Sequence, residues 1–232
     1  MKTIPSESYK ERVTTMNRGE LKSAVIGMVI GDGCLSKHQK KDTHNAYFQC
    51  HHCAEQFLYV MWKKRILDNI SKCKIWRNDK VTKDGKVYRG HRLYSRTNPL
   101  YTTLYNRFYQ VEGKSLDEYI VKMITPLALA IMYMDDGTVA KPGPNVKNKQ
   151  NSYFLRLCSY DFANLTLVKK SLKIKYDQEW NVIKHGSAGK TFWQLRLRNK
   201  DNDKFIDLIK PYVIPSMEYK LGSDANTPKL AT

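Results

Sequence analysis

The chain has 232 residues, 40 of them Lys or Arg against 22 Asp or Glu, for a formal charge of +18 at pH 7. With 41% hydrophobic and 11% aromatic residues it can build a core, which excludes a disordered chain, and no apolar run reaches the roughly 18 residues of a membrane span. Pro5, Glu7, Glu11 and Arg18 stand where a signal peptide would carry its apolar stretch, so an intracellular protein is expected, with organellar, bacterial and phage origins all left open. Cys34, Cys50, Cys53, Cys73 and Cys158 are irregularly spaced and suit reduced thiols. A cationic surplus of this size calls for a polyanion, nucleic acid above all.

Residues 1–18 are polar and unpatterned. Leu21 to Gly31 reads as an apolar helix ending at Asp32-Gly33, followed by strands around Ala46–Cys50 and a helix from Glu55 to Ile70. Strands around Lys74–Lys80 and Tyr88–Ser95 flank Asp84-Gly85, the signal of a type I′ hairpin. Asn98-Pro99 opens a helix to about Phe108, and Thr125-Pro126 opens a second apolar helix ending at Asp136-Gly137. The sequel repeats the first half: a strand at Tyr153–Cys158, a helix from Asp161 to about Ile174, strands at Trp180–Lys184 and Thr191–Arg198, and a helix from Asp203 to Lys210. Residues 223–232 form a loose tail.

Asp136 follows Asp32 by 104 residues, a period that makes two domain-sized halves rather than a solenoid. The division expected is a repeat over 19–113, a linker over 114–125 and a second repeat over 126–222. The fold class is therefore α+β, two pseudo-symmetric αββαββα repeats. Because their first helices are apolar all round, these should pack against each other at the centre.

Each central helix ends in Asp-Gly. Taken singly, that dipeptide is a common turn, with glycine in the left-handed position past a helix end. Against that reading, a carboxylate at the negative end of the helix dipole is unfavourable, and two packed helices would bring two of them together. Such a pair wants a hard cation bound through oxygen.

Val25-Ile26-Gly27-Met28-Val29-Ile30-Gly31-Asp32-Gly33 and Leu129-Ala130-Ile131-Met132-Tyr133-Met134-Asp135-Asp136-Gly137 resemble the two signature helices of the LAGLIDADG homing endonucleases, in their monomeric two-repeat branch. The resemblance covers about residues 20–222. It extends to a lysine after each repeat's last helix: Lys114 in Glu112-Gly113-Lys114-Ser115 and Lys220 in Ile214-Pro215-Ser216-Met217-Glu218-Tyr219-Lys220-Leu221, 82 and 84 residues beyond the respective aspartates. Gln49 matches the polar position near the active-site water, whereas Arg156 stands at that place in the second half. Ile131 replaces the interhelical glycine that Gly27 retains, so an asymmetric or looser helix contact is expected.

The resemblance implies saddle-shaped sheets astride the major groove of double-stranded DNA and a metal-dependent double-strand break at a long non-palindromic target. Asp32 and Asp136 would hold two or three Mg²⁺ ions, Mn²⁺ substituting, with the backbone carbonyls of Gly31 and Asp135 as further ligands. Lys114, Lys220 and Gln49 complete the catalytic set. Candidate DNA contacts are Lys37, Arg77, Arg92, Tyr94, Arg96, Arg156, Lys184, Gln194, Arg196 and Arg198. In two of these strands the argument is also one of parity, since Gln194, Arg196 and Arg198 alternate with Trp193, Leu195 and Leu197, and Arg92, Tyr94 and Arg96 repeat the pattern. A functional monomer without a membrane partner is expected. The rival reading is an intron RNA maturase or a non-cleaving DNA- or RNA-binding protein on the same fold. Cys50-His51-His52-Cys53 has the residue types of a zinc site but lacks a second ligand pair, and packing is the expected role.

Overall fold

The computed structural model describes residues 16–38, 45–110, 113–144, 150–187 and 190–222; most of the polar N-terminal segment and the tail from 223 lie outside the described residues. Helix α1 (Arg18–Ile30) opens on Asn17, whose side chain accepts from the N–H groups of Gly19 and Glu20 while Glu20 accepts from the N–H of Asn17. This reciprocal cap starts the helix ahead of the apolar run at Leu21. Every residue from Ser23 to Ile30 is buried.

The chain then forms β1 (Gly33–Ser36), β2 (Tyr47–Cys53), α2 (Phe57–Asp68), β3 (Cys73–Arg77), the short β4 (Lys80–Val81) and β5 (Val87–Tyr88), β6 (Gly90–Ser95) and α3 (Pro99–Phe108). Four of the strands make an antiparallel sheet in the order β1-β2-β6-β3. After α4 (Glu118–Lys122) the plan recurs as α5 (Pro126–Asp136), β7 (Gly137–Ala140), β8 (Ser152–Leu155), α6 (Phe162–Tyr176), β9 (Trp180–Ser187), β10 (Lys190–Leu197) and α7 (Asn202–Ile209). Its sheet runs β7-β8-β10-β9, the same order of first, second, last and third strand. Among the described residues no helix is long and apolar enough to cross a membrane.

Three local expectations need correction. Strands β1 and β7 begin directly at the glycine after each signature aspartate, and four residues are too few for an alternation to be read. Helix α4 occupies the stretch expected as linker, capped by Asp117, which accepts from Ile120 N–H at 2.7 Å. The Asp84-Gly85 hairpin exists, pairing Lys80 with Tyr88 and Val81 with Val87, but it is not type I′. That turn needs positive φ at both central residues, and Gly85 has it (φ 77°) whereas Asp84 does not; the wider loop closes through Thr82, whose hydroxyl and carbonyl bond Lys86 and Gly85.

Helices α1 and α5 form the centre. A methyl group at Gly27 would lie 2.7 Å from the carbonyl oxygen of Ala128 and 2.8 Å from its Cα, so glycine here lets the two backbones touch. Ile131, at the corresponding position of α5, is fully buried. The contact is therefore asymmetric, as the sequence suggests, but it is not loose. The glycines after the aspartates also have their reason in space. Gly33 and Gly137 do not have positive φ. A side chain at Gly33 would meet the Phe48 ring at 2.5 Å and the Met28 carbonyl at 2.6 Å, and one at Gly137 would collide with Tyr133. The reading of these glycines as left-handed residues past a helix end fails on this ground.

Candidate active site

The chain runs from α1 and α5 into their sheets through Asp32 and Asp136. Each aspartate lines a cleft. Asp32 shares one of about 310 Å³ with Cys34, Gln49, His51 and Arg92, and Asp136 shares one of about 560 Å³ with Gln56, Arg156, Tyr219 and Lys220. Burial, then the neighbouring carboxylates, drives both acids away from ionisation. Asp32 is raised above the ordinary aspartate value by burial and by Asp135, and Asp136 is pushed up to about 7 by burial, Asp32 and Asp135. Lys114 and Lys220 oppose the rise in both cases.

Both lysines sit where the helix dipoles end. Lys114 Nζ donates to the carbonyls of Val29 (2.9 Å), Gly33 (2.7 Å) and Gly31 (3.5 Å), and Lys220 Nζ donates to those of Met134 (2.5 Å) and Asp135 (2.8 Å). An ammonium at a helix C-terminus offsets its negative end and occupies carbonyls that the helix leaves unpaired. Burial lowers the pKa of each lysine. The carbonyls of Gly31 and Asp135, expected as metal ligands, thus already face lysine; each keeps a second lone pair.

Gln49 is held on both sides of its amide. Arg92 donates to its oxygen at 2.6 Å and its nitrogen donates to Ser36 Oγ at 3.1 Å. Arg156 adjoins the other aspartate, its N–H donating to the Asp136 carbonyl at 2.9 Å.

Strand registers decide which cations share a face. Cys34 pairs with Gln49, Gln49 with Tyr94, His51 with Arg92, and Tyr94 and Arg92 with Lys74 and Trp76. These side chains line the face that carries Gln49, opposite the buried Leu35, Phe48 and Leu93. Arg92 lies over the Tyr94 ring at 4.6 Å, and Trp76 is 58% exposed. Lys74, Trp76 and Tyr47 were not singled out from the sequence, and His51 only within the cysteine-histidine run; the visible signal was a large aromatic two residues after Lys74 in a strand with no apolar alternation. In the second sheet Arg196 pairs with Phe154 and Asn181 and is exposed, its guanidinium 5.9 Å from the Phe154 ring.

Other candidates are placed differently. Lys184 pairs with Trp193 and Arg77 with His91, so both point to the face opposite Arg196 and Arg92; Lys184 lies over the Trp193 ring, which meets Phe162 of α6. Gln194, on an inner strand, has the parity of Arg196 but is buried, with its Oε1 unpartnered. Arg198 lies just past β10 in an ion pair with Glu179. Arg96 is exposed just past β6, and the Lys37 ammonium sits over Tyr105 of α3 at 4.9 Å. Cys50 and His52 are buried on one side of β2 while His51 and Cys53 are exposed on the other, so those four side chains do not converge.

One group with no signal in its local sequence is the fully buried Lys63 of α2. Its ammonium is 2.6 Å from Asp135 Oδ1 and donates to His52 Nε2 at 3.0 Å, while His52 Nδ1 donates to Gln56 at 3.0 Å. Burial, the largest single influence, would discharge Lys63, but Asp135, with Cys50 and Asp32 adding to it, raises its pKa on balance. Burial, then Lys63, lowers His52 to about 4, which keeps the imidazole neutral.

Residues 22–205 match the model of a family described as the LAGLIDADG DNA endonuclease family. A Protein RecA of Mycolicibacterium flavescens is 33% identical over 202 residues, covering 85% of this chain and 45% of that protein. A cytochrome b mRNA maturase bI2 of Saccharomyces cerevisiae is 28% identical over 214 residues, covering 87% and 47%. The chain thus spans about half the length of these relatives. Among solved structures, the homing endonuclease I-WcaI bound to its DNA recognition sequence has the same fold, with a TM-score of 0.73 over 95% of this chain and 94% of that one at 22% identity.

Proposed function

The chain belongs to the LAGLIDADG DNA endonuclease family, and from that premise we propose that it is a site-specific nuclease that breaks both strands of a long, non-palindromic DNA target with the help of divalent cations. The observation that carries this reading is the pair Asp32 and Asp136 at the ends of packed helices, both driven from ionisation by burial first and then by neighbouring carboxylates, Asp135 acting on Asp32 and both Asp32 and Asp135 on Asp136. Protein architecture rarely retains such a pair unless a cation relieves it. The donors are all oxygen, which fits Mg²⁺ or Mn²⁺. When bound, such ions polarise the phosphoryl oxygen and supply positive charge to the leaving 3′ oxygen.

The chain's own groups account for the rest. Asp32 and Asp136, once ionised, would each hold a cation at the scissile phosphate of one strand. Lys114 and Lys220 keep positive charge at the helix ends, where it favours the phosphate's developing charge. Gln49, its amide fixed by Arg92 and Ser36, offers a polar contact for the attacking water, and Arg156 stands in its place beside Asp136. The sheet faces carry Lys74, Trp76, Arg92 and Tyr94 in one half and Phe154 and Arg196 in the other; this inequality matches an asymmetric target bound by a monomer.

A second reading, RNA binding in intron splicing, is favoured by the likeness to a protein named as an mRNA maturase. One experiment separates the two: select duplexes bound in Ca²⁺ from a pool with a randomised centre, then add Mg²⁺ or EDTA. The nuclease reading expects double-strand cleavage in Mg²⁺ and none in EDTA. Failure to bind or cut any duplex, with tight binding of structured RNA, would favour the maturase.

A further inference from the structure

Asp135 and Gly31 occupy equivalent places in the two repeats, 104 residues apart, yet they are opposite in kind. The structure joins them. A side chain at Gly31 would collide with the Asp135 carboxylate, so the glycine of one helix is the space that the aspartate of the other fills. From there Asp135 Oδ2 accepts the backbone N–H of Asp32 at 3.3 Å, and Oδ1 takes the Lys63 ammonium at 2.6 Å, both side chains being fully shielded from solvent.

The two signature aspartates are not held alike. Helix α5 runs through Asp136, whereas α1 stops at Ile30, two residues before Asp32, and the Asp32 side chain is 39% exposed. The backbone N–H of Asp32 therefore bonds the Asp135 carboxylate, and Gly31, having no side chain, cannot return that contact to Asp136. Asp32, His52 and Asp135 place three potential ligand atoms within 4.8 Å of one another, the outline of a cation site, but the Lys63 ammonium lies against two of the three groups and takes the cation's place.

We propose that Lys63 and the Asp135 side chain are positioning residues that act on one of the two cleavage centres, setting the Asp32 backbone so that the two DNA strands are cut at rates tuned separately. The inference rests on the nuclease reading above. It is tested on a Ca²⁺-selected duplex labelled at either strand's end, with single-turnover rates for each strand and a thermal melt of each variant. Lys63→Met/Asp135→Asn buries no unpaired charge, and Gly31→Ala displaces the carboxylate without altering charge. Both should bind the duplex in Ca²⁺ as the wild type does, yet change the ratio of the two strand rates by about tenfold or more, as small misplacements of reacting groups do. A folded variant that cuts both strands in the wild-type ratio, whether fast or slow, overturns the proposal. If the wild-type chain cuts neither strand, the nuclease reading fails and the inference with it; cleavage with an unmoved ratio fails the inference alone.

Discussion

Asp136 holds its proton to about pH 7 when folded and to 3.8 when unfolded, so between those values the folded state carries a proton that the unfolded state has shed. Stability of the metal-free chain then falls as pH rises across that window. His52 acts in the opposite sense: with a folded value of about 4 against 6.5, it contributes stability that is lost as pH falls below 6.5. Comparing variants separates them. Asp136→Asn should melt about 5 °C above wild type in EDTA at about pH 8, and the gap should close as pH drops toward about 5; a gap independent of pH would show that Asp136 is not under electrostatic pressure. Lys63→Met leaves the Asp135 charge buried alone and should cost about 3–5 kcal/mol in urea unfolding, most of it recovered by adding Asp135→Asn. An equal loss in the double variant would mean that packing, not charge pairing, sets the cost.

At the scale of elements, the central helices depend on backbone contact at Gly27. Gly27→Ala puts a methyl 2.7 Å from the Ala128 carbonyl and should destabilise the chain by roughly 1–3 kcal/mol, measurable as a lower urea midpoint at unchanged m-value. Both signature helices, the duplication and the paired lysines were legible in the sequence because each recurs at matched spacing. What escaped reading depended on contacts distant in sequence. Lys63 looked like one cation among many on α2; nothing local reveals that its partner lies on α5. Arg77 and Lys184 fall on the opposite sheet faces because parity must be counted from a strand register that pairing alone fixes. Arg196, whose parity was read correctly, gives a direct check. Arg196→Ala should weaken duplex binding and reduce the slope of log K against log salt by about one unit, whereas Lys184→Ala should leave both nearly unchanged.

Over the whole molecule, the +18 charge resolves into unlike parts. Many of its cations are spread over exposed surface, some already paired with acid, as in the cluster of Lys173, Arg198 and Lys200 around Glu179. Others, Lys63, Lys114 and Lys220, are drawn inward to three carboxylates at the junction of the repeats. Under the proposed function, the sheet faces are left to the DNA and the junction to the chemistry. Under the nuclease reading, the requirement for Asp32 and Asp136 together falls on cutting and not on binding. It is tested most directly by incubating wild type and the Asp32→Asn/Asp136→Asn variant with a plasmid carrying the selected target, in Mg²⁺. Wild type should yield linear plasmid, and the variant should bind the target in Ca²⁺ as tightly but leave the plasmid supercoiled; linear product from the double variant would show that cutting does not depend on these two carboxylates.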